Sequence, residues 1–60
     1  MTDKINILVV DDEESICKSC KKTLTREGYD VNYVLNGEEA LKKIERESYD
    51  LVITDLRMPK

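Results

Sequence analysis

The sequence predicts an α/β fold, a three-stranded parallel sheet built in the order βαβαβ. Three observations carry that prediction. Two apolar runs of β character, Ile5-Asn6-Ile7-Leu8-Val9-Val10 and Leu51-Val52-Ile53-Thr54, lie near the two ends of the chain, and each leads straight into aspartate. Two segments of helical periodicity lie between them, separated by a short β-type stretch. Gly28 and the pair Asn36-Gly37 fall where the periodicity changes, as turn residues should.

Residues 5–10 are apolar at nearly every position, the pattern of a parallel strand covered on both faces. From about Glu14 to Glu27, Ile16, Cys20 and Leu24 recur at helical spacing, with Lys and Arg between them. Asp12 or Glu13 is expected to cap this helix, its early acids matching the positive end of the helix dipole. Gly28 is expected to end it, because glycine tolerates the left-handed conformation common there. Residues 30–35 are mixed in character, as in a strand near a sheet edge. Asn36, with Glu39 three residues on, resembles a helix cap. The helix it opens runs to about Glu47 and takes its apolar face from Ala40, Leu41 and Ile44. Residues 51–54 form the third strand, and Met58-Pro59 marks a loop. Crossovers between parallel strands are right-handed, and sites in such sheets form outside the carboxyl ends of the strands. Asp11, Asp12 and Asp55 all fall at that edge.

Carboxylates gathered at the ends of buried strands repel one another unless their charge is offset. Three at one edge make a seat for a hard divalent cation bound through oxygen. For any one aspartate, capping a helix or ending a strand is the simpler reading; the case for a site rests on the three together. Glu13 and Glu14 read as dipole-complementary surface residues, and Lys42, Lys43 and Arg46 as the solvated face of the second helix. Tyr29, Tyr33 and Tyr49 read as partial core or edge cover.

Size and composition set further bounds. A chain of 60 residues is one small domain, and such a chain buries only about 60% of the surface its unfolded form exposes. A partner, a metal or a second copy could therefore decide whether it folds. With no Trp or Phe, the core must be aliphatic. The net charge is −3 and the cations form no dense run, which gives a nucleic-acid surface little support. No apolar stretch approaches a membrane span, and the N-terminus lacks the pattern of a secretory signal; both favour the cytoplasm. Cys17 and Cys20 spell C-x-x-C, but the chain has no His and no other Cys to complete a zinc site. Because Cys20 shares a face with Ile16 and Leu24, packing is the expected role, with an intermolecular disulfide through Cys17 as the alternative.

Three segments together resemble the receiver domain of two-component response regulators: Val9-Val10-Asp11-Asp12-Glu13, Asn36-Gly37-Glu38-Glu39-Ala40-Leu41, and Tyr49-Asp50-Leu51-Val52-Ile53-Thr54-Asp55-Leu56-Arg57-Met58-Pro59. The resemblance runs over all 60 residues but covers the first half of the family's domain, a five-stranded sheet flanked by five helices. It implies that residues 1–60 are a truncated receiver domain, half of a flavodoxin-like fold. By resemblance, Asp55 is the phosphoacceptor, taking a phosphoryl group from a phosphohistidine on a sensor histidine kinase. Asp11 and Asp12 hold Mg²⁺ together with Asp55, and the backbone carbonyl of Arg57 completes the protein ligands. The family's phosphoryl-contacting Ser or Thr and Lys follow its fourth and fifth strands, so phosphotransfer by these residues alone is expected to be impaired. Such a module is a signalling substrate with weak self-catalysis rather than an enzyme.

Two other readings remain open. The first is an assembly element: in the family's topology truncation leaves the third strand an apolar open edge, and the chain self-associates through it into a homo-oligomer. The second is a Mg²⁺-dependent phosphohydrolase with an aspartate nucleophile, disfavoured because Arg57 stands where those enzymes commonly carry a second acid. A phosphate-binding loop is weaker still, since no Gly-rich turn follows the first strand.

Overall fold

The computed structural model describes residues 4–54. They form β1 (Asn6–Val10), α1 (Glu14–Arg26), β2 (Asp30–Val34), α2 (Gly37–Arg46) and β3 (Leu51–Thr54). The three strands make one parallel sheet in the order β2-β1-β3. The predicted α/β class and all five elements are present, each within a residue or two of its expected bounds.

Burial of β1 on both faces follows from the alternation of side chains along a strand. Ile7 and Val9 point to one side, where they pack with Val31 and Cys17, and Cys20, Leu24, Tyr29 and Tyr33 close around them. Leu8 and Val10 point to the other side and pack with Val34, Ala40 and Tyr49. Helix α1 thus covers one face of the sheet and α2 the opposite one. Leu8 and Cys17 are both 0% exposed.

Local chemistry sets the helix ends. Asn36 caps α2, its side-chain oxygen accepting from the Glu39 N–H at 2.8 Å. The C-terminus of α1 closes in a six-residue hydrogen-bonded loop: Gly28 N–H donates to Thr25 O at 3.0 Å and Tyr29 N–H to Leu24 O at 3.1 Å. Gly28 has φ +99°, which a residue with a side chain rarely adopts. Two further contacts tie the start of β3 to β1: the Asp50 N–H donates to Asn6 O at 2.8 Å, and Asp50 Oδ2 accepts from the Asn6 N–H at 2.9 Å.

The structure corrects three expectations. Glu13 is the N-cap of α1, but neither it nor Asp12 caps the helix with a side chain. The stripe of α1 turned to the core is Cys17, Cys20 and Leu24, while Ile16 is 37% exposed. Both stripes have helical spacing, and the choice depends on where the helix lies; α1 packs on β2 and β1. Cys17 is therefore interior, which removes the intermolecular disulfide, and neither cysteine is bridged. Finally, of Ala40, Leu41 and Ile44 only Ala40 is buried; Leu41 is 63% exposed and Ile44 43%. Helix α2 packs on β1 and β2, and no helix among the described residues packs on β3. Leu51, Val52 and Ile53 consequently keep much of their surface in solvent.

This burial pattern predicts a sharp contrast between two leucines. Leu8→Ala should cost about 2–5 kcal/mol, whereas Leu41→Ala should change stability by less than about 0.5 kcal/mol. Urea titration followed by circular dichroism would measure both.

Candidate functional site

The carboxyl end of β1 delivers two aspartates into the turn before α1. Asp11 is buried, at 7% exposure, and Asp12 is exposed. Three hydrogen bonds hold Asp11. Its N–H donates to Val34 O at 3.2 Å, continuing the β1–β2 ladder one step past the strand. Its Oδ1 accepts from the Glu13 N–H at 2.9 Å, a side-chain turn that leads the chain into α1. Its carbonyl accepts from the Cys17 thiol at 3.4 Å, and Val34 O lies 3.7 Å from the same sulfur. A thiol has one proton, so Cys17 shares it between the ends of β1 and β2.

The Cys17 thiol is pushed above its ordinary pKa, first by burial and then by the negative charge of Asp11. It therefore stays protonated, acting as a hydrogen-bond donor rather than a metal ligand. Beside the site, Glu14 Oε2 accepts from the Tyr33 hydroxyl at 3.2 Å and lies 4.0 Å from Lys18 Nζ. Sequence reasoning missed both the thiol clamp and the Tyr33–Glu14 bond. For Cys17 the signal was present, since Cys17, Cys20 and Leu24 also recur at helical spacing. Tyr33 and Glu14 carried none.

The β1–β3 register sets Val10 beside Thr54. The two strands thus end level, and the residues that follow them in sequence are Asp11 and Asp55. Asp55 and Arg57 lie outside the described residues, so of the four expected site residues the structure describes Asp11 and Asp12. These two acids fit a hard cation by chemistry: both are oxygen donors, and no described hydrogen bond uses Asp11 Oδ2. Among the described residues no group of three His, Cys, Asp or Glu side chains is gathered for a metal. The expected set needs its third acid from beyond Thr54.

Comparison with known proteins identifies the family of the chain. The family profile described as "Response regulator receiver domain" matches residues 7–60. The chain is 56% identical over 54 residues to the alkaline phosphatase synthesis transcriptional regulatory protein PhoP of Bacillus subtilis, covering 90% of this chain and 22% of that protein. It is 43% identical over 58 residues to the transcriptional regulatory protein ResD of the same organism, covering 97% of this chain and 24% of ResD. It is also 39% identical over 59 residues to the sensor protein EvgS of Escherichia coli, covering 98% of this chain and 5% of EvgS. The chain belongs to the response regulator receiver domain family. It spans less than a quarter of the length of each of these three relatives. No solved structure matches it. Among the described residues no helix is long and apolar enough to cross a membrane.

The thiol geometry predicts an order of chemical modification. With iodoacetamide under native conditions, half-buried Cys20 should be alkylated first, and Cys17 only as fast as the fold opens. Peptide mass mapping over time would read this, and early labelling of Cys17 would contradict the clamp.

Proposed function

We propose that the chain is a phosphoacceptor module in which Asp55 takes a phosphoryl group from the phosphohistidine of a sensor histidine kinase. An oxygen of the Asp55 carboxylate attacks phosphorus, the new O–P bond forms, and the N–P bond breaks. The histidine nitrogen leaves with the electron pair and is protonated. Asp11 and Asp12, together with Asp55, would hold Mg²⁺ at this edge, and the Arg57 carbonyl would add a neutral oxygen. When bound, Mg²⁺ offsets the negative charge that the phosphoryl oxygens and the carboxylates bring together. Asp11, pinned by Val34, Cys17 and Glu13, supplies a carboxylate whose position is set before the cation arrives.

The observation that carries this reading is the level ending of β1 and β3. Adjacent strands are about 4.8 Å apart, close enough for carboxylates following both strands to share one ion. The family supports the same chemistry, because receiver domains bind Mg²⁺ at the phosphorylation site and work with sensor kinases. They are phosphorylated signalling modules rather than classical enzymes.

A second reading, self-association, is favoured by β3. Among the described residues it pairs with β1 on one side only, and its Leu51, Val52 and Ile53 are 49%, 40% and 37% exposed. An apolar edge of this kind pairs readily with another chain, here with the β3 of a second copy across a two-fold axis.

Intact mass after incubation with acetyl phosphate and Mg²⁺ tests the first reading. One phosphoryl group should be gained by the unmodified chain and none by Asp55→Asn, with Asp12→Asn needing much more Mg²⁺. Absence of any gain at saturating Mg²⁺ would refute phosphoacceptor activity in these 60 residues. Sedimentation equilibrium tests the second: a mass rising with concentration is expected, and a monomer throughout would rule it out.

A further inference from the structure

A second surface of the fold lies away from the aspartate edge. A shallow groove of about 600 Å³ runs between α1 and β2, lined by Lys18, Lys21, Lys22, Thr25, Arg26 and Tyr33. The chain as a whole is acidic, with net charge −3, yet four cations converge here. Lys18, Lys22 and Arg26 stand four residues apart on one line of the helix. Like charges at that spacing repel and weaken the helix that carries them. The negative end of the helix dipole accounts for Arg26, which is in the last turn. Glu14 partly offsets Lys18 from 4.0 Å, but among the described residues Lys21, Lys22 and Arg26 have no ion-pair partner. The charge ladder therefore presents a line of positive charge suited to an anionic partner.

The floor of the groove narrows the class of partner. Val31 and Tyr33 of β2 belong to the α1 side, so Asp30 and Asn32, alternating with them, fall on the other face. Among the described residues β2 pairs only with β1, leaving the backbone N–H and C=O groups of its outer edge open to another strand. Spacing agrees as well. Residues four apart on a helix are about 6 Å apart along its axis, and alternate residues of an extended chain are roughly 6.7 Å apart.

We propose that this groove docks an extended, acidic segment of a protein partner, which adds to the outer edge of β2 and carries carboxylates at alternate positions to meet Lys18, Lys22 and Arg26. Single-stranded nucleic acid is also a polyanion, but it offers β2 no backbone strand to pair with, and the Tyr33 ring packs against the core beside Val31 and Cys17. The inference goes beyond the phosphoacceptor reading and does not depend on Asp55.

The test is an NMR titration of the isotope-labelled chain with three probes: a peptide alternating Glu and Thr, a peptide of the same composition with its Glu residues in one block, and oligothymidylate. The alternating peptide should shift the amides of Asp30–Val34 and bind about tenfold more tightly than the other two probes. Lys22→Glu should weaken it by about tenfold or more, and Lys42→Glu on α2 should leave it unchanged. Should Lys22→Glu fail to fold, as judged by circular dichroism, the milder Lys21→Gln/Lys22→Gln pair replaces it with a loss in the same direction. Equal affinity for both peptides, equal losses in the α1 and α2 variants, tighter binding of the oligonucleotide, or no binding would each overturn the proposal.

Discussion

Strand β1 is flanked on four sides. Its two edges pair with β2 and β3, and its two faces meet the side chains brought in by α1 and α2. Both core clusters of the described residues are built on β1 side chains, so loss of the strand would undo both. The near-continuous apolar run of β1 is therefore the condition on which the rest depends. Both helices orient against it, and both neighbouring strands take their register from it. The carboxylate edge is the point where the buried apolar stretch Ile7–Val10 gives way to a polar side chain, Asp11.

That transition from apolar strand to acid is managed by short-range bonds. Asp11 is buried, and its backbone and carboxylate are satisfied by Val34, Cys17 and Glu13. Among the described residues no buried side-chain polar atom lacks a partner. Burial of the acid does not therefore require a cation, although its second oxygen leaves room for one.

Much of this was legible in the sequence because local rules agreed with the fold. The two-sided burial of β1, the cap at Asn36 and the glycine closing α1 each follow from residue type and spacing alone. Asp11 and Asp12 were legible for the same reason, as acids directly after a buried strand. The failures concern position in three dimensions. Ile16 and Cys17 are adjacent, both apolar, and each continues to Cys20 and Leu24 at helical spacing, so periodicity could not choose between them. Leu41 and Ile44 have the spacing of a buried face, but α2 lies over β1 and β2, which no local pattern encodes. The cationic groove was invisible for a related reason. Its cations line up along α1 by their spacing, but the Tyr33 side chain and the open edge of β2 come beside them only when the helix packs on the sheet.

The register of the sheet also sets an order of assembly. Strand β1 reaches β2 across a single intervening helix, whereas β3 joins β1 only after the whole of the intervening chain has been laid down. Contacts that close longer loops carry a larger entropic cost before they are rewarded. The β1-α1-β2 unit, sealed by the Cys17 thiol and the glycine turn, is thus the natural nucleus, and β3 is the last strand to dock. With no described helix to clamp it, β3 is also the first to fray. The strand that leads into Asp55 is consequently the most labile part of the sheet, and anything that binds across the ends of β1 and β3 will act as the latch of the fold.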